Sequence, residues 1–518
     1  MKALNVLLSI LVSILLFVFA LEGGLRLIGM GPKDTIHEFD AKLGWIKSPE
    51  AVGEYSTSEF DVTFRISEQG LRDDLVQEEK FAGTWRALAL GDSFVLGYTV
   101  DRADLFVDLL EESVKASNQA NDVVNAGTEG WSTDQEVIWF TEHGKTYNPD
   151  LVLIFPYEND LYWNGQTRYG RFPKPRFGPA GQVETDHMQD PGAKPWFERY
   201  AIGSPLRPLL SKKPEESRTW SPDGTHTYAG PRLEWAAYFH GEPDFMRESV
   251  ARTRAALSTL KQACAEIGAS LVVVPIPHKS SVNAEAHAAL QRSIGAPQNM
   301  WSAEKPVETF LSLAQDLGIR SLDARPALKA SAADGTELYY ERDWHFNPAG
   351  NRAFASFLQA NLGDALPAGS APVPAKGEAP LSAGGIPTWG YVFATLWLLL
   401  GVGYGQSYKD ESRALSFLKV GVLLTCVFTL ILGGEAVLDS VSPRLGQLLG
   451  MVFIVGILGF VLYKLGRRTG TVLELFSAFV QRGHWYLMPL VVILLTIGSL
   501  LVVAASSPLV APFIYTLF

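Results

Sequence analysis

Two short stretches carry the residue types that acyl-transfer chemistry needs. The first is Leu88-Ala89-Leu90-Gly91-Asp92-Ser93-Phe94, an apolar strand pattern that ends in Gly-Asp-Ser and continues as a helix pattern. A serine on such a strand-to-helix turn exposes its Oγ and presents its own backbone N–H beside it, as a nucleophile requires. Taken alone, Gly-Asp-Ser is also a common turn and helix cap. The second stretch lies some 250 residues later, at Asp343-Trp344-His345-Phe346-Asn347-Pro348-Ala349-Gly350, with Pro348 suited to the first turn of a closing helix. A serine hydroxyl is a weak nucleophile until an imidazole accepts its proton, and that imidazole needs a carboxylate to fix its tautomer and balance its charge. In an irregular loop, Asp343 can reach the Nδ1 of His345 two positions on.

Two further stretches fall after core strands. Asn125-Ala126-Gly127-Thr128-Glu129-Gly130 follows the second core strand, and Glu158-Asn159-Asp160 follows the third. Acyl transfer builds negative charge on an oxygen, which preorganised N–H donors stabilise. A glycine backbone N–H and an asparagine side-chain amide are suitable donors, although either stretch by itself reads equally as a turn.

Taken in order, the four stretches resemble the SGNH (GDSL-like) hydrolase superfamily over about residues 80–360. Gly91-Asp92-Ser93-Phe94 is similar to its first block, Gly130 to its second, Asn159-Asp160 to its third and Asp343/His345 to its fifth. The resemblance implies a flavodoxin-like three-layer α/β/α sandwich around a parallel sheet. It implies Ser93 as nucleophile, His345 as general base and Asp343 as the carboxylate that orients it. The oxyanion hole would be the Ser93 N–H, the Gly130 N–H and the Asn159 side chain, with Gly127 a rival that suits the family spacing less well. No metal or organic cofactor is implied. Two positions depart from the family pattern. Tyr157 stands where a glycine is frequent, and Arg342 stands where the aspartate of Asp-x-x-His is frequent. The resulting Asp-x-His form is similar to the extracytoplasmic polysaccharide O-acetyltransferase branch.

The elements that must position these residues follow from periodicity. Residues 86–90, 122–125, 151–155 and 270–275 read as short apolar strands, and 105–116, 133–146, 245–267, 307–317 and 348–362 read as helices. Short apolar strands alternating with helices indicate a parallel sheet covered on both faces, with its site at the C-terminal strand ends. Residues 31–80 read as a small β-appendage, because Phe60-Asp61-Val62-Thr63-Phe64-Arg65-Ile66 alternates as a strand does. Residues 81–362 form the hydrolase-like domain. Its insertion at 161–244 is rich in Pro, Gly and aromatics, among them Tyr162, Trp163, Tyr169, Phe172, Trp196, Phe197, Tyr200, Trp220 and Tyr228. An insertion of that length after a core strand forms a lid or binding wall, its rings either stacking on a sugar or packing the insertion itself.

Composition sets the surroundings. Of 518 residues, 47% are hydrophobic and only 19% charged, and the mean hydropathy is +0.09. This excludes a disordered chain, and two cysteines, Cys264 and Cys426, exclude a disulfide scaffold. Both read as small buried hydrophobes. Residues 31–385 hold 34 basic and 49 acidic side chains, which argues against nucleic acid as a partner. Uncharged or nearly uncharged runs at 3–21, 386–408, 416–438, 445–463 and 485–507 have the length of membrane spans. Residues 1–30 read as a signal anchor, 363–385 as a Pro/Ala/Gly linker and 386–518 as a four-span membrane domain. Lys2, Lys409, Arg413, Lys464, Arg467, Arg468 and Arg482 fall on one side if the N-terminus is cytoplasmic, which places the hydrolase-like domain outside the inner membrane, in the periplasm. The stretch from Leu473 to Phe518 resembles a small uncharacterised bacterial membrane-protein family.

Three readings follow. The first is an extracytoplasmic, membrane-anchored serine esterase acting on ester-linked acyl groups of a cell-envelope glycan or lipid. The second is an O-acyltransferase that passes the acyl-serine to a sugar hydroxyl and depends on a membrane acyltransferase partner, since five spans are fewer than known acyl donors use. The third is a degenerate SGNH-fold module that binds glycan without turnover.

Overall fold

The computed structural model describes residues 36–57, 59–192 and 218–373, with scattered positions between 393 and 425. Contacts divide the chain into two units, and Lys33–Pro195 with Pro208–Glu378 form the α/β unit. In the other unit, the indole N–H of Trp397 donates to the Phe417 carbonyl at 2.8 Å. The spans expected at 3–21, 445–463 and 485–507 lie outside the described residues, as do Cys426 and most of 386–408 and 416–438. Among the described residues no helix is long and apolar enough to cross a membrane.

The α/β unit opens with two antiparallel hairpins, β1 (His37–Asp40) with β2 (Gly44–Lys47), and β3 (Val52–Ser56) with β4 (Asp61–Arg65). The core sheet then takes β5 (Arg86–Gly91), β6 (Asp122–Asn125), β7 (Leu151–Phe155), β8 (Ser270–Val273) and β9 (Arg320–Ser321). All pairings are parallel and the spatial order is β6-β5-β7-β8-β9. This is the 2-1-3-4-5 order of flavodoxin-like sheets, whose strand direction of travel switches between the first and third strands.

Alternation along the strands builds two cores. Ala87 and Ala89 of β5, with Leu151, Leu153 and Phe155 of β7, pack against α2 (Phe106–Lys115), α8 (Arg325–Ser331) and the closing helix α9 (Pro348–Leu362). Leu88, Leu90, Val152 and Ile154 face the opposite layer, formed by α3 (Thr133–Glu142), α5 (Asp244–Ile267) and α7 (Lys305–Asp316). The three-layer α/β/α sandwich is therefore present. At roughly 1.5–3 kcal/mol for each large apolar side chain fully buried, the two layers lock the sheet from both sides. Cys264, on α5, is buried in the second layer.

The turn after β5 becomes the one-turn helix α1 (Ser93–Leu96). Asp92 caps it, accepting from the Phe94 N–H at 2.9 Å. Its other end is held by the appendage. The buried Arg72 guanidinium donates to the carbonyls of Leu96 and Val100, each at 2.8 Å. The insertion contributes the short helix α4 (Asp160–Trp163), two-residue strand pairs and a 3-10 helix at Gly230–Tyr238. Residues 193–217 within it, including Trp196, Phe197 and Tyr200, lie outside the described residues.

Candidate active site

The switch between β5 and β7 puts the ends of those strands side by side. Ser93 follows β5, Asn159 follows β7, and the loop carrying Gly130 follows β6. The fourth piece arrives on the tight loop before α9. There Tyr339 and Phe346 form a bridge, and the Tyr340 N–H donates to the His345 carbonyl at 3.2 Å. Ser93 Oγ lies 2.7 Å from His345 Nε2, and His345 Nδ1 lies 2.5 Å from Asp343 Oδ1. The same carboxylate oxygen accepts the His345 backbone N–H at 2.9 Å. The imidazole is packed between Phe94, at a ring separation of 4.5 Å, and Tyr98, at 5.0 Å.

A cavity of about 520 Å³ opens over Ser93 and His345, lined also by Gly130, Asn159, Glu129, Glu158 and Glu234. The expected residues therefore converge. Gly130 lines the cavity at φ +74°. Gly127 does not line it. Its N–H donates to Asn125 Oδ1 at 3.0 Å, and a Cβ there would stand 2.2 Å from the Leu96 backbone nitrogen. The glycine at 127 thus serves close packing of the loop on α1.

Of the aromatic insertion residues, Trp163, Tyr169, Trp235 and Tyr238 line the cavity. Tyr162 and Tyr228 are buried in a core that the insertion shares with α6 (Ala284–Ile294) and α7, with Trp220 packed against it, and Phe172 packs on Trp45. Trp344 is 56% exposed at the cavity mouth, with the Lys279 ammonium 5.9 Å above its ring.

The carboxyl groups divide into two kinds. Burial works to raise Asp343, but its hydrogen bond to His345 and the charge of that ring outweigh burial and hold it below the usual carboxylate range. Asp92 is pushed up to about 6 by burial, although the Phe94 N–H opposes the shift. Glu158 is pushed up to about 8 by burial, against the hydrogen bond from the Tyr238 hydroxyl. Glu234 is pushed up to about 7 by burial, against the hydrogen bond from Trp163. His278 is held down to about 3, again by burial, and stays neutral.

Glu129, Glu158, Glu234 and Tyr98 were not singled out by sequence reasoning. Glu129 and Glu158 adjoin residues that were, and adjacency to a strand-end donor is the signal that could have found them. Glu234 sits in the insertion, where no local pattern marks it.

Beneath Asn159 lies a second, closed cluster. Asp160 accepts from Thr133 through both its N–H, at 3.1 Å, and its hydroxyl, at 2.8 Å. Asp134 is paired with Lys174, and both are fully buried. Burial, reinforced by neighbouring carboxylates, raises Asp160 and Glu136 far above their usual values.

The raised Glu158 has a consequence for stability. Between its ordinary 4.5 and about 8, the folded chain keeps a proton that the unfolded chain has released, so stability falls as pH rises through that window. Glu158→Gln should match the wild type near pH 4.5 and melt a few degrees higher at pH 8, since about 1 kcal/mol moves Tm by roughly 2–4 °C in a mid-sized domain. Thermal melts across pH check this, and parallel curves for the two proteins would contradict it.

Comparison with known proteins bears on this arrangement. Residues 238–377, which include Asp343 and His345, match the SGNH hydrolase-like domain of the acetyltransferase AlgX. Residues 469–518 match a family of unknown function (DUF5989). No curated protein matches the chain. Among solved structures, the acetyl xylan esterase AlAXEase is 12% identical, with a TM-score of 0.30 over 53% of this chain and 98% of its own. A catalytic mutant of an acetylxylan esterase from Geobacillus stearothermophilus is 12% identical, with a TM-score of 0.30 over 55% and 97%. A lipase/acylhydrolase from Enterococcus faecalis is 16% identical, with a TM-score of 0.29 over 55% and 97%. The chain is thus similar to an SGNH hydrolase-like domain over residues 238–377, and its C-terminal end is similar to a family of unknown function.

Proposed function

We propose that this chain is a serine esterase acting on ester-linked acyl groups, with the unbroken hydrogen-bonded series Ser93–His345–Asp343 at an open cavity as the observation that carries the reading. Ser93 Oγ attacks the ester carbonyl carbon while its proton passes to His345 Nε2. The carbonyl oxygen takes the negative charge opposite the Ser93 N–H, the Gly130 N–H and the Asn159 amide. Collapse breaks the bond to the leaving alkoxide, which takes the proton from His345. Water then attacks the acyl-serine, again with His345 as base, and the acid is released. Asp343 keeps the imidazole in the tautomer whose Nε2 faces the serine.

A second reading replaces water by a sugar hydroxyl, giving O-acetyl transfer. The description of the matched family favours it, because the match includes the Asp343–His345 loop. A membrane protein would then supply the acyl group. Either way, the apolar runs and the basic residues flanking them support a periplasmic domain anchored in the inner membrane, working on an envelope glycan or lipid.

Full-length protein in detergent should label with a fluorophosphonate at Ser93 and release acetate from p-nitrophenyl acetate. Mass spectrometry with acetylated and unacetylated oligosaccharides separates hydrolysis from transfer. Absence of both labelling and turnover would leave only a glycan-binding module.

A further inference from the structure

The β-appendage does more than cover α1. Three of its side chains reach the loop between β6 and α3 that carries Gly130. Lys47, buried at 4% exposure, donates through Nζ to the Gly127 carbonyl and, at 3.0 Å, to Thr128 Oγ1. The Tyr55 hydroxyl donates to Glu129 Oε2 at 2.6 Å. The Trp45 indole N–H donates to the Glu129 backbone carbonyl at 2.9 Å.

The third bond bears on the chemistry. The Trp131 N–H donates to the Thr128 carbonyl at 3.1 Å, which closes a β-turn with Glu129 and Gly130 at its centre. Gly130 at φ +74° marks that turn as type II. The peptide between Glu129 and Gly130 is its central unit. A flip of that one plane converts a type II turn into type I, and glycine tolerates both conformations. The backbone alone therefore leaves the orientation weakly set. A trans peptide is planar, with its C=O and N–H pointing in opposite directions. The bond that ties the Glu129 carbonyl to Trp45 thus turns the Gly130 N–H away from the appendage. Trp45 is itself fixed. It is 2% exposed, stacked on Tyr169 at 5.5 Å, and its own carbonyl accepts the Trp131 indole N–H at 2.9 Å.

We propose that Trp45 is a positioning residue for the oxyanion hole: its indole N–H locks the Glu129–Gly130 peptide with the Gly130 N–H toward the cavity. The N-terminal hairpin thereby completes the site. This rests on the reading of Ser93 as nucleophile. Trp45 touches no substrate and acts only through the peptide it holds.

The test is Trp45→Phe in the full-length protein, which keeps an aromatic body and deletes the donor. As a shape-matched check, benzothienylalanine introduced at position 45 replaces the N–H by sulfur. Loss of one oxyanion donor lowers kcat by about 10²–10³-fold. A flip that is only partly populated gives at least about tenfold, with KM for p-nitrophenyl acetate within about twofold. Gly130→Ala disfavours positive φ and drives the same flip, so the double variant should be no slower than the slower single variant. Unchanged kcat in the benzothienylalanine protein, or additive losses in the double variant, would overturn the proposal. If the wild type has no turnover, or Ser93→Ala retains it, the failure lies in the nucleophile assignment instead.

Discussion

Ser93→Ala lowers the turnover of p-nitrophenyl acetate on the order of 10⁴- to 10⁶-fold while leaving the thermal melt within a degree or two. The magnitude follows from removing the atom that forms the acyl-enzyme. What survives such a change is the contribution of binding and of the oxyanion donors, which act on water's own attack. At about 1.36 kcal/mol per factor of ten, the loss corresponds to about 5–8 kcal/mol of barrier. Little stability is at stake, because Asp92 rather than Ser93 caps α1. Turnover within about tenfold of wild type would remove Ser93 from the mechanism.

Asp343→Asn costs about 10⁴-fold in kcat, again without unfolding the domain. The asparagine fits the same space, but its amide can donate to Nδ1, which stabilises the tautomer with the proton on Nε2. That proton then faces Ser93 Oγ, which sits 2.7 Å from Nε2 and needs an acceptor there. The carboxyl of Asp343 is held below its usual range, so it stays ionised through mildly acid conditions. The acid limb of the wild-type pH–rate profile therefore does not report its titration. The rate of fluorophosphonate labelling at Ser93 should fall in step with kcat. Full-speed labelling in the variant would mean that His345 takes its orientation from elsewhere.

The parts of this molecule that could be read in the sequence are those set by local chemistry. Leu88-Ala89-Leu90 before Gly91-Asp92-Ser93 could hardly be other than a buried strand running into a capped turn. Asn347-Pro348 marks the start of α9 with equal clarity, since Asn347 accepts from the Gly350 N–H at 2.9 Å. The closing strand Arg320–Ser321 is two residues long, too short to leave a pattern. The helix Ala284–Ile294 is mostly small and polar residues with two buried positions, so its apolar stripe is faint. Outside the catalytic set, contacts between distant segments were not legible. Nothing near Lys47 points to Gly127, 80 positions on, and nothing near Glu234 shows that the insertion folds it back over Ser93.

The Lys174–Asp134 pair gives the insertion a meaning of its own. Lys174 belongs to the 161–244 segment, yet it sits among the core carboxyl groups Asp134, Glu136 and Asp160 under the third strand end. Truncating one partner of a buried pair strands the other charge in a low-dielectric interior, at about 3–5 kcal/mol. The insertion is thus no detachable ornament. A trimmed or transplanted version of the domain would carry away the cation that its foundation is built around, and modularity ends at that lysine.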